Sequence, residues 1–157
     1  MKTKAIEKDL AEKIFAKMRP GPALVCETML RYGLRVSDVV DWRVEDLQKG
    51  RWFIHEKKRG KKRRISCTGE YRERLLRISR GGYVFPGRKP FTHITRQAVW
   101  CSFRTACRRT GVEGAYAPHS LRKTHARIYY SHYGVEATRK HLNHDDISTT
   151  LIYLFDE

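Results

Sequence analysis

Apolar residues recur at four-residue steps at the start of the chain, at Ile6, Leu10, Ile14 and Met18, and predict an amphipathic helix over residues 5–18. Pro20-Gly21-Pro22 reads as its end, and a more apolar helix follows from Ala23 to Tyr32, with Gly33 placed as a left-handed cap. Arg35 then falls in a short connection into a helix carrying Val39 and Val40. Residues 51–55 and 64–67 alternate well enough for two short strands, with 56–63 as the turn between them. Tyr71 to Ile78 reads as a short helix, Gly81-Gly82 interrupts the chain, and Tyr83-Val84-Phe85 is a brief apolar segment. Thr95 is an N-cap for a helix running to about Arg109, with Ile94 and Val99 spaced as a hydrophobic staple and Gly111 as the stop. The last third predicts a helix from Ser120 to Tyr133 with Leu121, Ile128 and Tyr129 inward and Gly134 as its cap. A short helix over 136–142 and a final one over 149–155 follow. The pattern describes one mainly α domain over residues 1–157 with a small antiparallel β-sheet, an α+β fold, without repeats or low-complexity tracts.

Charge narrows the class of partner. Lys and Arg number 33 against 17 Asp and Glu, a net charge of +16, which points to a polyanion. The excess comes with aromatics and follows no simple helical pairing, which favours nucleic acid. Its densest stretch is the expected hairpin turn: Lys57, Lys58, Arg59, Lys61, Lys62 and Arg63 around Gly60. Such a run is usually a solvated tip, but it also suits a phosphate backbone. On the helix from Thr95, the apolar positions leave Arg96, Gln97, Arg104 and Arg108 for the outer face, where Arg and Gln can bond base edges in a major groove. No run of eighteen apolar residues is present, and the amino terminus is too polar for a signal peptide. Cys26, Cys67, Cys101 and Cys107 lack C-x-x-C spacing, so a reducing compartment is expected, the cytoplasm at the nucleoid.

Candidate chemistry concentrates at the carboxy-terminal end. His119 and Arg122 stand three apart, on one helix face, and His144 precedes Tyr153 by nine positions. An unbroken helix would point His144 and Tyr153 apart, so a bend is required. Asp145, Asp146, Ser148 and Thr149 supply residues that favour caps and turns. These are side chains able to attack a phosphodiester without a metal. The pairs His141/His144 and His125/His132 raise a metal site, but no Cys pair has ligand spacing and the nearby carboxylates suit a turn. No metal or cofactor is expected.

His119-Ser-Leu-Arg122, then Leu142-Asn-His144, then Tyr153, preceded by Gly33-Leu34-Arg35-Val36-Ser37-Asp38 and by the basic hairpin, resembles the catalytic domain of the tyrosine recombinase (phage integrase) family. The resemblance covers roughly residues 5–155, and Asn143 stands where the family pattern has Gly. It implies the tyrosine recombinase catalytic-domain fold and cleavage of DNA through a 3′-phosphotyrosyl link, without ATP or metal. Tyr153 would be the nucleophile and His119 the acid/base. Arg35 and Arg122 would neutralise the phosphate, with His144 as a further donor. Lys58 would protonate the leaving 5′ oxygen, with Lys57 as the alternative. By itself, Arg35 would equally pair with Asp38 or Asp41. The resemblance also leads one to expect an absent amino-terminal core-binding domain, and self-association on DNA, up to the family's tetramer. A nicking and resealing enzyme of type IB topoisomerase kind and a non-cleaving DNA-binding accessory module are the other readings.

Overall fold

The computed structural model describes residues 3–155. Helix α1 covers Lys8–Phe15 and is shorter than its apolar repeat suggests, because Ile6 is buried ahead of it in extended chain. Helix α2 covers Pro20–Tyr32. Pro20-Gly21-Pro22 therefore opens this helix rather than closing the one before. A proline in the first turn forfeits only an amide that has no helical partner, and its fixed φ suits the helix. Gly33 ends α2 at φ 64, and α3 (Val36–Val39) starts directly after Arg35. Helix α4 covers Val44–Lys49.

Strands β1 (Arg51–His55) and β2 (Lys62–Ser66) form one antiparallel pair, with Trp52 opposite Ile65 and Ile54 opposite Arg63. After α5 (Gly69–Ile78) an irregular stretch leads to α6 (Arg96–Arg109), where Thr95 Oγ1 accepts from the Ala98 amide at 3.1 Å, as the cap expected there should. Helix α7 runs Pro118–His141 and breaks at Gly134 (φ 79, ψ 176), so two helical segments meet at the glycine. Helix α8 covers Ile147–Phe155.

The core gathers around α2, which packs against α7, α6 and α3 and buries Val25, Cys26 and Met29. Trp42 sits edge-on to Trp52 at 4.9 Å and to Tyr32 at 5.5 Å, joining the sheet to the helical body. Ile128, expected inward, is 41% exposed, and Ala126 takes the buried position on that turn. Both ends of the domain meet at α7. The Ile6 amide donates to Thr124 Oγ1 at 2.9 Å, Thr124 Oγ1 donates to the Ile6 carbonyl at 2.7 Å, and Lys123 Nζ donates to the Thr3 carbonyl at 2.6 Å. From the other side α8 lies along α7. On the outside of α8, Leu151, Ile152 and Phe155 remain exposed.

Candidate active site

The bend required between His144 and Tyr153 is present. Asp146 accepts from the Ser148 amide at 3.0 Å and from its hydroxyl at 2.5 Å, which caps the chain into α8 and turns Tyr153 back over the start of α7. There the Tyr153 hydroxyl lies 2.8 Å from His119 Nε2. Burial, reinforced by Arg122, Arg35, Lys123 and Lys58, pulls the His119 imidazole down to about 4. It is therefore neutral at pH 7, and its Nε2 lone pair can accept the phenolic proton.

Arg122 lies directly beneath. Its side chain has no exposed surface. Nη1 donates to the Gly33 carbonyl at 2.6 Å and Nη2 to the Leu142 carbonyl at 3.0 Å, while Nε is buried without an acceptor among the described residues. An unsatisfied guanidinium N–H at such a depth is costly, and a phosphate oxygen is an acceptor that would relieve it. His144, also buried, stands 3.5 Å from Arg122 Nη2 through Nε2 and 2.9 Å from Thr150 Oγ1 through Nδ1. Burial and the Arg122 charge pull its pKa down to about 3. The Tyr153 ring is edge-on to both imidazoles, at 5.4 Å from His119 and 5.0 Å from His144.

Arg35 pairs with neither Asp38 nor Asp41. Its Nη1 donates to Glu56 Oε2 at 2.9 Å, and Glu56 is fully buried at the end of β1. Asp38 instead accepts from the Lys57 amide at 2.9 Å, and the Lys57 ammonium stands 3.5 Å from Asp41. Lys58 is exposed and shares an open cleft of about 500 Å³ with Arg35, Lys57, His93 and Arg96. The structure thus brings His119, Arg122, His144 and Tyr153 together, and sets Arg35 and Lys58 on an adjoining cleft.

The remaining basic residues divide. Lys57, Lys62, Arg96, Gln97 and Arg108 are exposed. Arg59 and Lys61 both pair with Asp145, at 2.5 Å for Arg59, which ties the hairpin to the turn before α8. Arg104 is half-buried and donates to the Tyr116 carbonyl at 2.9 Å. Arg63 is a correction to the basic run: it is 8% exposed and bonds inward, to the carbonyls of Tyr32 and Gly33 and, at 3.0 Å, to His141 Nε2. Strand alternation explains it, since Arg63 and Ile65 share the inner face of β2. The same alternation was readable from the sequence. Glu56 and Thr150 had no such signal, because each acts on a partner that folding alone brings near.

His125 and His141 meet at 2.9 Å through Nε2, and Tyr129 stacks on His141 at 4.0 Å. Among the described residues no group of three or more His, Cys, Asp or Glu side chains is placed so that it could hold a metal ion, and no helix is long and apolar enough to cross a membrane.

A mainly helical domain with a basic two-stranded hairpin, whose last helix returns a tyrosine to a His and Arg at the head of a long helix, is the catalytic fold of the integrase class. The Phage integrase family model matches residues 4–156, and the chain belongs to that family. The tyrosine recombinase XerD of Listeria monocytogenes is 30% identical over 141 residues, covering 81% of this chain and 47% of the relative. The XerD of Shewanella oneidensis is 29% identical over 140 residues, covering 81% and 46%. The chain spans about half the length of the curated relatives it matches. Among solved structures, a lambda integrase tetramer bound to a Holliday junction superposes with a TM-score of 0.83 at 19% identity, over 99% of this chain and 49% of that one. The lambda integrase catalytic core superposes with a TM-score of 0.76 at 20% identity, over 91% and 94%.

Proposed function

We propose that this domain cleaves and rejoins double-stranded DNA through a covalent phosphotyrosine, as the catalytic part of a site-specific recombinase. The observation that carries the reading is the Tyr153 hydroxyl 2.8 Å from a neutral His119, over the buried Arg122. A free phenol, with a pKa of about 10, attacks slowly at neutral pH unless its proton is taken and the phosphate charge is neutralised. His119 takes that proton. Arg122 and Arg35 hold the non-bridging phosphate oxygens, and His144 adds a donor. The Tyr153 oxygen forms a bond to phosphorus as the bond from phosphorus to the 5′ oxygen breaks, and Lys58 gives the leaving oxygen its proton. Attack by that 5′ hydroxyl reverses every step, so resealing needs no further energy source.

Lys57, Lys62, Arg96, Gln97 and Arg108 would meet the duplex around this cleft. The exposed apolar residues of α8 support self-association of copies on DNA. Such work belongs to the compartment that holds the chromosome. Relaxation without strand exchange and a non-cleaving accessory role have less support, because the relatives matched are recombinases.

The test is incubation with nicked suicide substrates followed by denaturing electrophoresis and mass mapping. A covalent adduct is expected on Tyr153, absent in Tyr153→Phe. A wild-type protein that binds DNA tightly and never forms an adduct would refute the reading.

A further inference from the structure

Glu56 has no exposed surface, sits within the most basic stretch of the chain, and has no part in the chemistry above. Its Oε2 accepts from Arg35 at 2.9 Å. Its Oε1 accepts from Asn143 Nδ2 at 3.1 Å and lies 3.7 Å from Arg63 Nη1. Its own backbone closes the hairpin turn: the carbonyl accepts from the Gly60 amide at 2.7 Å and the Arg59 amide at 3.2 Å, and the amide donates to the Lys61 carbonyl at 3.0 Å. One residue thus joins three segments, those carrying Arg35, Lys58 and His144.

Asn143 is the second half of the contact. It holds φ 56, a left-handed conformation in which glycine would be less strained. A side chain kept at such a position, with its amide directed onto a buried carboxylate 87 residues away, makes a bond that glycine cannot. Charge assistance onto a carboxylate that is itself fully buried makes that bond directional and less sensitive to salt than an exposed pair. Lys61 Nζ also donates to the Asn143 carbonyl at 3.4 Å and Arg63 Nη2 lies 3.0 Å from His141 Nε2, whereas the pairs of Arg59 and Lys61 with Asp145 end on a carboxylate that is 66% exposed. Salt screens those.

We propose that the Asn143–Glu56 hydrogen bond is a latch that positions the basic hairpin against the turn bearing His144, and so sets Lys58 and Arg35 relative to Tyr153. Both are positioning residues, and their effect on cleavage rests on the function proposed above. Asn143→Gly removes the amide and relieves the backbone, so the variant is expected to fold. Hydrogen exchange of the Lys57, Arg59 and Gly60 amides, without DNA and at about 0.5 M salt to screen the Asp145 pairs, is expected to quicken about tenfold. Asn143→Asp, which sets a second carboxylate against Glu56, is expected to do the same. Wild-type exchange rates in either variant overturn the latch.

On a nicked substrate, single-turnover adduct formation by Asn143→Gly is expected to slow about tenfold while DNA affinity holds. An unchanged rate, or an equal loss of rate and affinity, overturns the positioning role. If the wild-type protein forms no adduct, the cleavage reading falls while the exchange data still decide the latch.

Discussion

His119 and His125 are held down to about 4, and His141 and His144 to about 3, in each case first by burial and then by neighbouring charge, chiefly guanidinium. An unfolded chain returns all four to about 6.5. Between these values the unfolded form binds more protons than the folded one, so stability is complete above about 6.5 and is lost as pH falls toward 4. By pH 5.5 each of the four should cost about 1 kcal/mol, roughly 4–5 kcal/mol together, a fall in melting temperature of about 10–20 °C for a domain of this size. Circular dichroism melts at constant ionic strength would show this, and a flat profile from pH 7 to 5 would contradict it. Tyr153 shares the requirement, because protonated His119 cannot accept its proton.

At the level of elements, the carboxy-terminal end of α2 does two jobs. Gly33 takes φ 64 as its cap, and the same carbonyl accepts from Arg122 at 2.6 Å. A Cβ there would lie 2.3 Å from His125 Cδ2. Gly33→Ala should therefore cost about 2–4 kcal/mol from backbone strain and the clash, read as a shifted midpoint in urea unfolding. That cap, the Thr95 cap and the bend between His144 and Tyr153 were readable in the sequence because each is decided within a few residues. Arg35 was rightly placed between helices, while its partner was not, since Glu56 reaches it only through the fold. Pro20 was misread because proline both ends and begins helices. Ile128 was misread because the apolar face of α7 is set by which neighbours cover it. The Asn143–Glu56 contact spans 87 residues, a separation at which local pattern carries no information.

For the molecule as a whole, the +16 charge is not spread evenly. Beside α6 a groove of about 1260 Å³ gathers Lys17, Arg19, Arg80, Arg88, Lys89 and Arg109, with no carboxylate among its lining residues. It adjoins the cleft of Arg35 and Lys58, since His93 lines both. Contacts to six or more phosphates should make the logarithm of affinity fall with the logarithm of salt at a slope of about 5 or steeper. Titration of DNA binding between 50 and 200 mM salt, as orders of magnitude set by counterion release, would measure it, and a shallow slope would remove the groove from the DNA footprint. The pairing of Ile6 with Thr124, two residues from Arg122, has a mechanical consequence. Tension or displacement applied to the chain ahead of Ile6 is delivered to the helical turn that holds the buried guanidinium, so a tag or tether fused there pulls on the helix that carries His119 and Arg122.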